Sequence, residues 1–138
     1  MISRILLAAT LSAFAFQASA ATCEIQVLFP FGSSKIPAEY ADVLANVVNA
    51  RKSGDVKIVA HTDLVGTPAS NQALSDARAA AVAKAMVSAG LDPARIKVEK
   101  GVGEADPVEA TTGPSQANRR ADVVIGDCNT AVIGPLAG

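Results

Sequence analysis

The amino-acid sequence predicts an α/β domain, a two-layer sandwich in which a four-stranded mixed sheet packs against two main helices. Two observations lead to this class. Four short apolar runs typical of strands are interspersed with two longer segments whose apolar residues recur every three or four positions, as on one helix face. Half of the 138 residues are apolar, and a chain of this length can bury a single core. The predicted order is strand, helix, strand, helix, strand, loop, strand.

The first half of the predicted domain holds a strand, a helix and a second strand. Residues 25–29 alternate as in a strand, and a segment rich in proline, glycine and serine follows them. A helix begins at Pro37, because proline fits a first helical turn, and it ends at residues 52–54. Its apolar stripe consists of Tyr40, Leu44, Val47 and Val48. Residues 56–60 then form the second predicted strand.

The second half holds a long helix and two further strands. Pro68 opens the helix, which a glycine ends after Ala89. Its predicted inward stripe consists of Ala79, Val82, Ala83 and Met86. Residues 95–100 form the third strand, and a loop rich in glycine, proline and threonine occupies 101–115. Residues 121–125 form the fourth strand, which completes the sheet.

Residues 1–20 have the features of a secretory signal peptide. Arg4 is their only charged side chain, residues 5–16 form an apolar run, and a small-x-small cleavage site ends the segment. The run is about 12 residues long, shorter than the roughly 17 to 25 residues that span a bilayer. We therefore predict an exported, periplasmic domain at 21–128 and a loose tail at 129–138.

Charge and composition exclude several classes of function. Removing Arg4 from the 12 basic residues leaves 11 against 13 acidic ones, a balance that suits nucleic acid poorly. One histidine and two cysteines supply no zinc ligand set, and no glycine-rich phosphate loop is present. Ser70 or Ser75 could be paired with His61 for hydrolysis, but no Gly-x-Ser-x-Gly elbow supports this. We expect no metal, no cofactor and no enzyme activity.

The two cysteines, Cys23 and Cys128, bracket the predicted domain. In an oxidising compartment they are expected to pair, which requires the first and last strands to be antiparallel neighbours. The alternative is a lipid anchor on Cys23, because this residue follows the apolar run. Thr22 disfavours that alternative, since a lipidated cysteine normally follows Gly, Ala or Ser. We therefore predict a disulfide between Cys23 and Cys128.

The candidate binding residues surround the start of the long helix. Asp63 follows the second strand, and Asn71, Ser75 and Arg78 are spaced i, i+4, i+7 on one helix face. A carboxylate, an amide and a guanidinium would meet at a helix N-terminus and suit a zwitterion. The alternative is an internal salt bridge between Asp63 and Arg78 that orders the loop. Spacing alone does not separate the two.

Four motifs carry a resemblance to a known family. His-Thr-Asp-x-x-Gly lies at 61–66, Asn-x-x-Leu-Ser-x-x-Arg-Ala at 71–79, Gly-x-Gly-Glu-x-x-Pro at 101–107 and Asn-Arg-Arg at 118–120. In this order and spacing they resemble the OmpA-like peptidoglycan-binding domain, the family of OmpA C-terminal and Pal-like domains. The resemblance extends over residues 27–125, nearly the whole predicted domain.

The resemblance implies a set of site residues. In that family the aspartate of the Thr-Asp motif and the arginine of the Leu-Ser-x-x-Arg-Ala motif hold the diaminopimelate of the peptidoglycan stem peptide. These positions are Asp63 and Arg78 here. The remaining residues of the expected site are Thr62, Asn71, Leu74 and Arg119. Of the paired arginines, Arg119 and Arg120, we expect one to face the site or hold the loop and the other to point to solvent.

The resemblance implies a non-catalytic periplasmic module, associated with the outer membrane, that binds peptidoglycan through its diaminopimelate stem. A second interpretation is an adaptor for periplasmic or outer-membrane proteins in which the same site is vestigial. An exposed apolar patch beside an internally paired Asp63 and Arg78 would favour the adaptor. A wall hydrolase would need a base with a nucleophile or a metal, and the sequence supplies neither.

Overall fold

A computed structural model describes residues 22–50 and 53–126. The predicted signal peptide, the predicted tail and Cys128 lie outside the described residues. Within them the chain forms four strands, two α-helices and one short 3₁₀ helix. The elements are β1 Cys23–Leu28, α1 Ala38–Ala50, β2 Val56–Ala60, α2 Pro68–Ser88, the 3₁₀ helix Pro93–Arg95, β3 Ile96–Gly101 and β4 Arg120–Ile125.

The four strands form one mixed sheet in the order β1-β4-β2-β3. The last strand, β4, lies between β1 and β2 and is antiparallel to both, whereas β2 and β3 are parallel. Helix α2 connects the two parallel strands, since a parallel pair needs a crossover connection. The predicted class, an α/β sandwich with a four-stranded mixed sheet and two helices, is confirmed.

The hydrophobic core lies between the helices and one face of the sheet. Alternate residues of β1 are buried while Glu24 and Gln26 are exposed, which is the period-two pattern of a strand with one covered face. The buried helix residues of the core are Leu44, Val47 and Val48 of α1 and Ala79, Val82, Ala83 and Met86 of α2. The predicted stripes are thus confirmed, with Tyr40 only half-buried.

The pairing of β1 with β4 bears on the predicted disulfide. Cys23 is buried and lies opposite Ile125 at the end of β4. The first and last strands are therefore antiparallel neighbours, as the disulfide requires. Because Cys128 lies outside the described residues, the bond itself stays a prediction.

The first turns of α2 lie close to the end of β3. A Cβ atom at Gly101 would collide with the backbone of Ser75 and Asp76, so only glycine permits this approach. The Oγ atom of Ser75 accepts a hydrogen bond of 2.8 Å from the backbone nitrogen of Gly103. Helix α2 thereby fixes the start of the β3–β4 loop, the name used below for residues 102–119.

Element boundaries differ slightly from the predicted ones. Strand β1 ends at Leu28, but Phe29 is fully buried and its backbone nitrogen still donates to the carbonyl of Arg119. A single 3₁₀ turn at Pro93–Arg95 precedes β3, and the side chain of Asp92 caps it. Among the described residues, no helix is long and apolar enough to cross a membrane.

Candidate functional site

A cavity of about 180 Å³ lies where the carboxyl end of β2 meets the first turns of α2. We call it the Asp63 cavity. It is lined by Phe31, Gly32, Asp63, Val65, Ser70, Asn71, Leu74, Arg78 and Arg119. Five of the six predicted site residues are in this lining. The sixth, Thr62, is buried behind it, where its hydroxyl donates to the carbonyl of Asp63.

The carboxylate of Asp63 is buried and well supplied with donors. The backbone nitrogen of Val65 donates to Oδ1 at 3.2 Å. The backbone nitrogen of Ser115 and Nη1 of Arg119 donate to Oδ2 at 3.3 and 3.0 Å. A carboxylate can accept about four hydrogen bonds. With three accepted from the described residues, Oδ1 retains capacity for one more donor at the cavity.

The guanidinium of Arg78 has no solvent-accessible surface. Its Nε, Nη1 and Nη2 atoms donate to the carbonyls of Ser33, His61 and Pro30 at 2.9, 2.9 and 3.2 Å. Its Cζ atom lies 5.1 Å from the ring centre of Phe29, a favourable cation–π distance. The side chain therefore fastens the segment after β1, which forms one wall of the cavity, to the end of β2.

Burial lowers the pKa of Arg78 to about 10; the negative charge of Asp63 opposes this effect and the positive charge of Arg119 adds to it. The guanidinium thus stays protonated at neutral pH. The internal salt bridge considered from the sequence is not formed, because the described ion pair of Asp63 is with Arg119. Two guanidinium groups and one carboxylate leave the cavity with a net positive charge.

Arg119 is the arginine of the pair that reaches the cavity. Besides its bond to Asp63, its Nε donates to the carbonyl of Phe29 at 3.1 Å and its Nη2 to the side chain of Gln116 at 2.7 Å. The expectation that the other arginine points to solvent is wrong. Arg120 is 5% exposed and pairs with Asp122, because the β3–β4 loop covers that part of the sheet.

The start of α2 supplies the remaining polar atoms of the lining. The side chain of Thr67 caps the helix by accepting from the backbone nitrogen of Ser70 at 3.1 Å. Asn71 donates to the carbonyl of Asp63 at 3.3 Å and to the carboxylate of Glu104 at 3.2 Å. Ser75, expected on the same face, bonds to the β3–β4 loop and is absent from the cavity lining.

Sequence reasoning missed three contributors to the site. Phe31, 61% exposed, and Gly32, with φ of 65°, form the wall after β1. Ser115 contributes a backbone nitrogen. Every residue except proline has this donor, so the residue type does not reveal the contact. For Phe31 the available signal was an aromatic residue in a turn segment.

The geometry does not support hydrolysis. The ring nitrogens of His61 contact the carbonyl of Ala105 and the carboxylate of Asp122, and His61 is absent from the cavity lining. No serine of the cavity is therefore paired with a base. Within residues 22–50 and 53–126, no three His, Cys, Asp or Glu side chains come together to hold a metal ion. What the cavity offers is charge and hydrogen bonding for an ionic ligand.

Comparisons with known proteins agree with this architecture. The OmpA family model matches residues 28–121. Outer membrane protein A of Bordetella avium is 36% identical over 102 residues, which cover 70% of this chain and 52% of that protein. The chain spans about half or less of the length of the curated relatives it matches.

Two solved structures are similar in both sequence and fold. The peptidoglycan-associated lipoprotein from Burkholderia pseudomallei is 30% identical with a TM-score of 0.66, and the match covers 72% of this chain and 88% of that one. The cell wall anchor of the T6SS from Pseudomonas aeruginosa is 26% identical with a TM-score of 0.60, covering 76% of this chain and 81% of that one.

Proposed function

The chain belongs to the OmpA family, and we propose that it is a non-catalytic module that binds peptidoglycan in the Asp63 cavity. The ligand group is the diaminopimelate of the stem peptide. Its side chain ends in an ammonium and a carboxylate, so it needs an acceptor and a cationic donor at short range. The observation that carries the proposal is the buried Asp63 carboxylate, which is paired with Arg119, lies in the field of the Arg78 charge and can accept one more hydrogen bond through Oδ1.

The three charged side chains have different roles in this proposal. Asp63 accepts from the ligand ammonium through Oδ1. Arg119, whose side chain is 12% exposed, is the cation that the ligand carboxylate meets first. Arg78 adds positive charge next to the cavity, whereas its guanidinium is fully buried and bound to three backbone carbonyls. Its bonds to Pro30 and Ser33 also keep the cavity wall in place.

Affinity at one such site is modest. Each charge-assisted hydrogen bond contributes about 1.5 to 3 kcal/mol, and ordering a flexible stem peptide offsets part of this. A polymeric wall presents many copies of the stem, so rebinding retains the protein. We place the module in the periplasm, in association with the outer membrane, on the basis of the predicted signal peptide and of the relatives' names.

Sedimentation with purified sacculi tests the proposal. Asp63→Ala should weaken binding tenfold or more, because about 1.4 kcal/mol corresponds to a factor of ten and the variant removes the ammonium acceptor. Asp63→Asn keeps the shape and an acceptor oxygen but not the charge, so it should also bind weakly. Asp42→Ala, which removes an exposed aspartate from α1, is the matched control and should bind like the unaltered protein. Equal binding by folded Asp63→Ala would refute the site.

The adaptor interpretation has one observation in its favour. Phe31 is 61% exposed at the mouth of the Asp63 cavity, where an apolar side chain of a protein partner could cover it. An adaptor predicts that the unaltered protein does not sediment with sacculi and that Phe31→Ser abolishes co-purification of its protein partner. A peptidoglycan module predicts sedimentation that depends on Asp63.

A further inference from the structure

Each ring nitrogen of His61 lies next to a hydrogen-bond acceptor, but a neutral ring carries only one N–H group. The residue is 3% exposed and lies directly after β2. Its Nδ1 atom is 3.0 Å from the carbonyl oxygen of Ala105, and its Nε2 atom is 3.2 Å from Oδ2 of Asp122. A neutral imidazole carries a single N–H and can donate to only one of the two, whereas an imidazolium donates to both. Each ring nitrogen thus faces an acceptor, an arrangement in which a doubly protonated ring makes both hydrogen bonds.

Asp122 is the shared anchor of this arrangement. The Nε atom of Arg120 lies 3.2 Å from both of its carboxylate oxygens. Burial disfavours the charged carboxylate, but the hydrogen bond from His61 and the charge of Arg120 outweigh burial and lower the pKa of Asp122. Asp122 is therefore ionised at neutral pH. It can hold His61 on one side and Arg120 on the other.

His61 and Arg120 contact two adjacent residues of the β3–β4 loop. His61 contacts the carbonyl of Ala105, and Nη2 of Arg120 donates to the carbonyl of Asp106 at 3.0 Å. Asp106 has a φ of 54°, in the left-handed region that costs energy for a residue with a Cβ atom. A strained conformation of this kind persists only where neighbouring contacts hold it, and these two contacts face it from the sheet.

We propose that His61, Asp122 and Arg120 form a proton-dependent latch that holds the β3–β4 loop on the sheet. With the ring protonated, both carbonyls are bound and the loop is closed. When the ring loses one proton, the other stays on Nε2, because the charged Asp122 carboxylate is a stronger acceptor than a carbonyl. The contact with Ala105 is then lost, and Arg120 alone of the two side chains holds the strained turn. The latch concerns the free protein and needs no ligand.

The latch also positions the Asp63 cavity. Beyond Asp106, the backbone nitrogens of Val108 and Glu109 donate to Oδ1 of Asn118 at 2.7 and 2.9 Å, and Glu109 in turn accepts from the hydroxyl of Ser115 at 2.8 Å. The backbone of Ser115 then reaches Asp63. His61 is thus a positioning residue for the loop atoms that contact Asp63, and this consequence for wall binding rests on the proposed function.

The charged groups near His61 lie on several elements. From β4 it faces Asp122 and Arg120, and from α2 Arg78 donates to its backbone carbonyl. In the loop, the carboxylate of Glu104 binds Asn71, away from the ring. From β3, Lys100 lies opposite Val59, two residues before His61, and β1 places uncharged Leu28 opposite Arg120. Among the described residues, Asp122 is the carboxylate in contact with the ring.

Nuclear magnetic resonance of the free protein tests the latch, and the chain's single histidine makes the ring signals unambiguous. The measurements are the protonation of both ring nitrogens and the hydrogen exchange of the Val108 and Glu109 amides, corrected for intrinsic pH dependence. We expect a protonated ring when these amides are protected. Protection should fall at least tenfold as the ring loses its proton, with the same midpoint, while amides of β1 stay unchanged.

Two variants sharpen this test. His61→Phe should leave the two loop amides weakly protected at every pH. Asp106→Asn removes a carboxylate from the loop but keeps the carbonyl that Arg120 binds, so the pH dependence should persist. A ring with one proton in the closed loop, or loop protection indifferent to ring protonation, would overturn the latch. These readouts use unaltered protein without peptidoglycan, so a failure of wall binding would leave them untouched.

Discussion

Two cavities flank helix α2, and they differ in how their charged side chains are held. The Asp63 cavity lies at the start of the helix, where Asp63 and Arg78 are buried, Arg119 is partly buried, and all three are hydrogen-bonded. A larger cavity of about 440 Å³ lies along the second half of the helix against β3; we call it the Lys84 cavity. It is lined by Ala80, Ala83, Lys84, Val87, Ser88, Pro93, Ile96, Lys97 and Glu99.

The charges of the Lys84 cavity are solvated. Lys84, Lys97 and Glu99 are all exposed, and Lys97 donates to the nearby carbonyl of Ala94 at 2.9 Å. Such groups lose rotamer freedom and hydration when they bind. In the Asp63 cavity the charged side chains lose this freedom and hydration when the protein folds, because loop and strand contacts fix them before any ligand binds. Under the proposed function, the two cavities are distinguished by fixed, buried charge rather than by volume.

The largest expected effect is that of the predicted disulfide, which would lie at the end of the sheet where Cys23 pairs with Ile125. A bridge between Cys23 and Cys128 would close a loop of about 106 residues, worth up to about 4.7 kcal/mol by the chain-entropy estimate. Intact mass of the exported protein should show the loss of two hydrogens. Reduction should then lower the midpoint of urea unfolding. An added diacylglycerol and acyl chain on Cys23 would contradict the bridge and indicate a lipoprotein.

At the Asp63 cavity, Arg78 is the side chain expected to contribute most to the free energy of unfolding. Arg78→Met removes the donors to the carbonyls of Pro30, Ser33 and His61, and we expect a loss of about 3 kcal/mol in the free energy of unfolding. Urea denaturation measures it. Lys84→Met, an exposed change on the same helix, should alter stability by less than about 0.5 kcal/mol. Equal effects of the two changes would erase the contrast between the cavities.

A substitution at Arg119 tests whether binding requires the planar guanidinium group or only its positive charge. Arg119→Lys keeps the charge but cannot bind Asp63, Phe29 and Gln116 together. Sacculus binding should weaken roughly three- to tenfold, corresponding to about 0.7 to 1.4 kcal/mol. The control is Lys97→Ala in the Lys84 cavity, for which no change is expected. A loss with Lys97→Ala comparable to that with Arg119→Lys would move the binding surface to the Lys84 cavity.

The smallest effect is a pH dependence carried by Asp122. Its pKa is lowered in the folded protein, so the stability that it contributes is present above the unfolded value of about 3.9 and is lost as pH falls through the folded pKa. Asp122→Asn should therefore unfold more easily than the unaltered protein above about pH 4 and similarly in stronger acid. Denaturation curves from pH 2 to 7 measure the difference. A constant difference down to pH 2 would exclude ionisation of Asp122 as the cause.

Local pattern predicted the elements well because it reports which face of each segment is buried. The stripes of α1 and α2 and the alternation of the strands follow directly from helical and strand periodicity. The position of Asp63 after β2, before a helix that begins at Pro68, also brought Asp63, Asn71, Leu74 and Arg78 to one cavity. These residues are close in sequence, so short-range geometry was sufficient.

Hydrophobic periodicity could not predict which residue pairs with Asp63. Arg119 lies 56 residues later, and the central place of β4 in the sheet brings it to the cavity. Arg120 shows the same limit. Strand alternation puts its side chain on the sheet face away from the helices, which predicts solvent, but the β3–β4 loop folds over that face and buries it.

The sequence by itself determined the elements, their order and the residues that each strand or helix turns toward the core, because hydrophobic periodicity is a local property. It also placed the motifs on which the family resemblance rests. Tertiary structure alone decided that Asp63 pairs with Arg119, that the backbone of Ser115 serves the carboxylate, and that His61 and Arg120 hold one turn of a loop. These contacts join distant segments through backbone atoms and long polar side chains. Their formation depends on how the β3–β4 loop packs on the sheet, and no local periodicity encodes that packing.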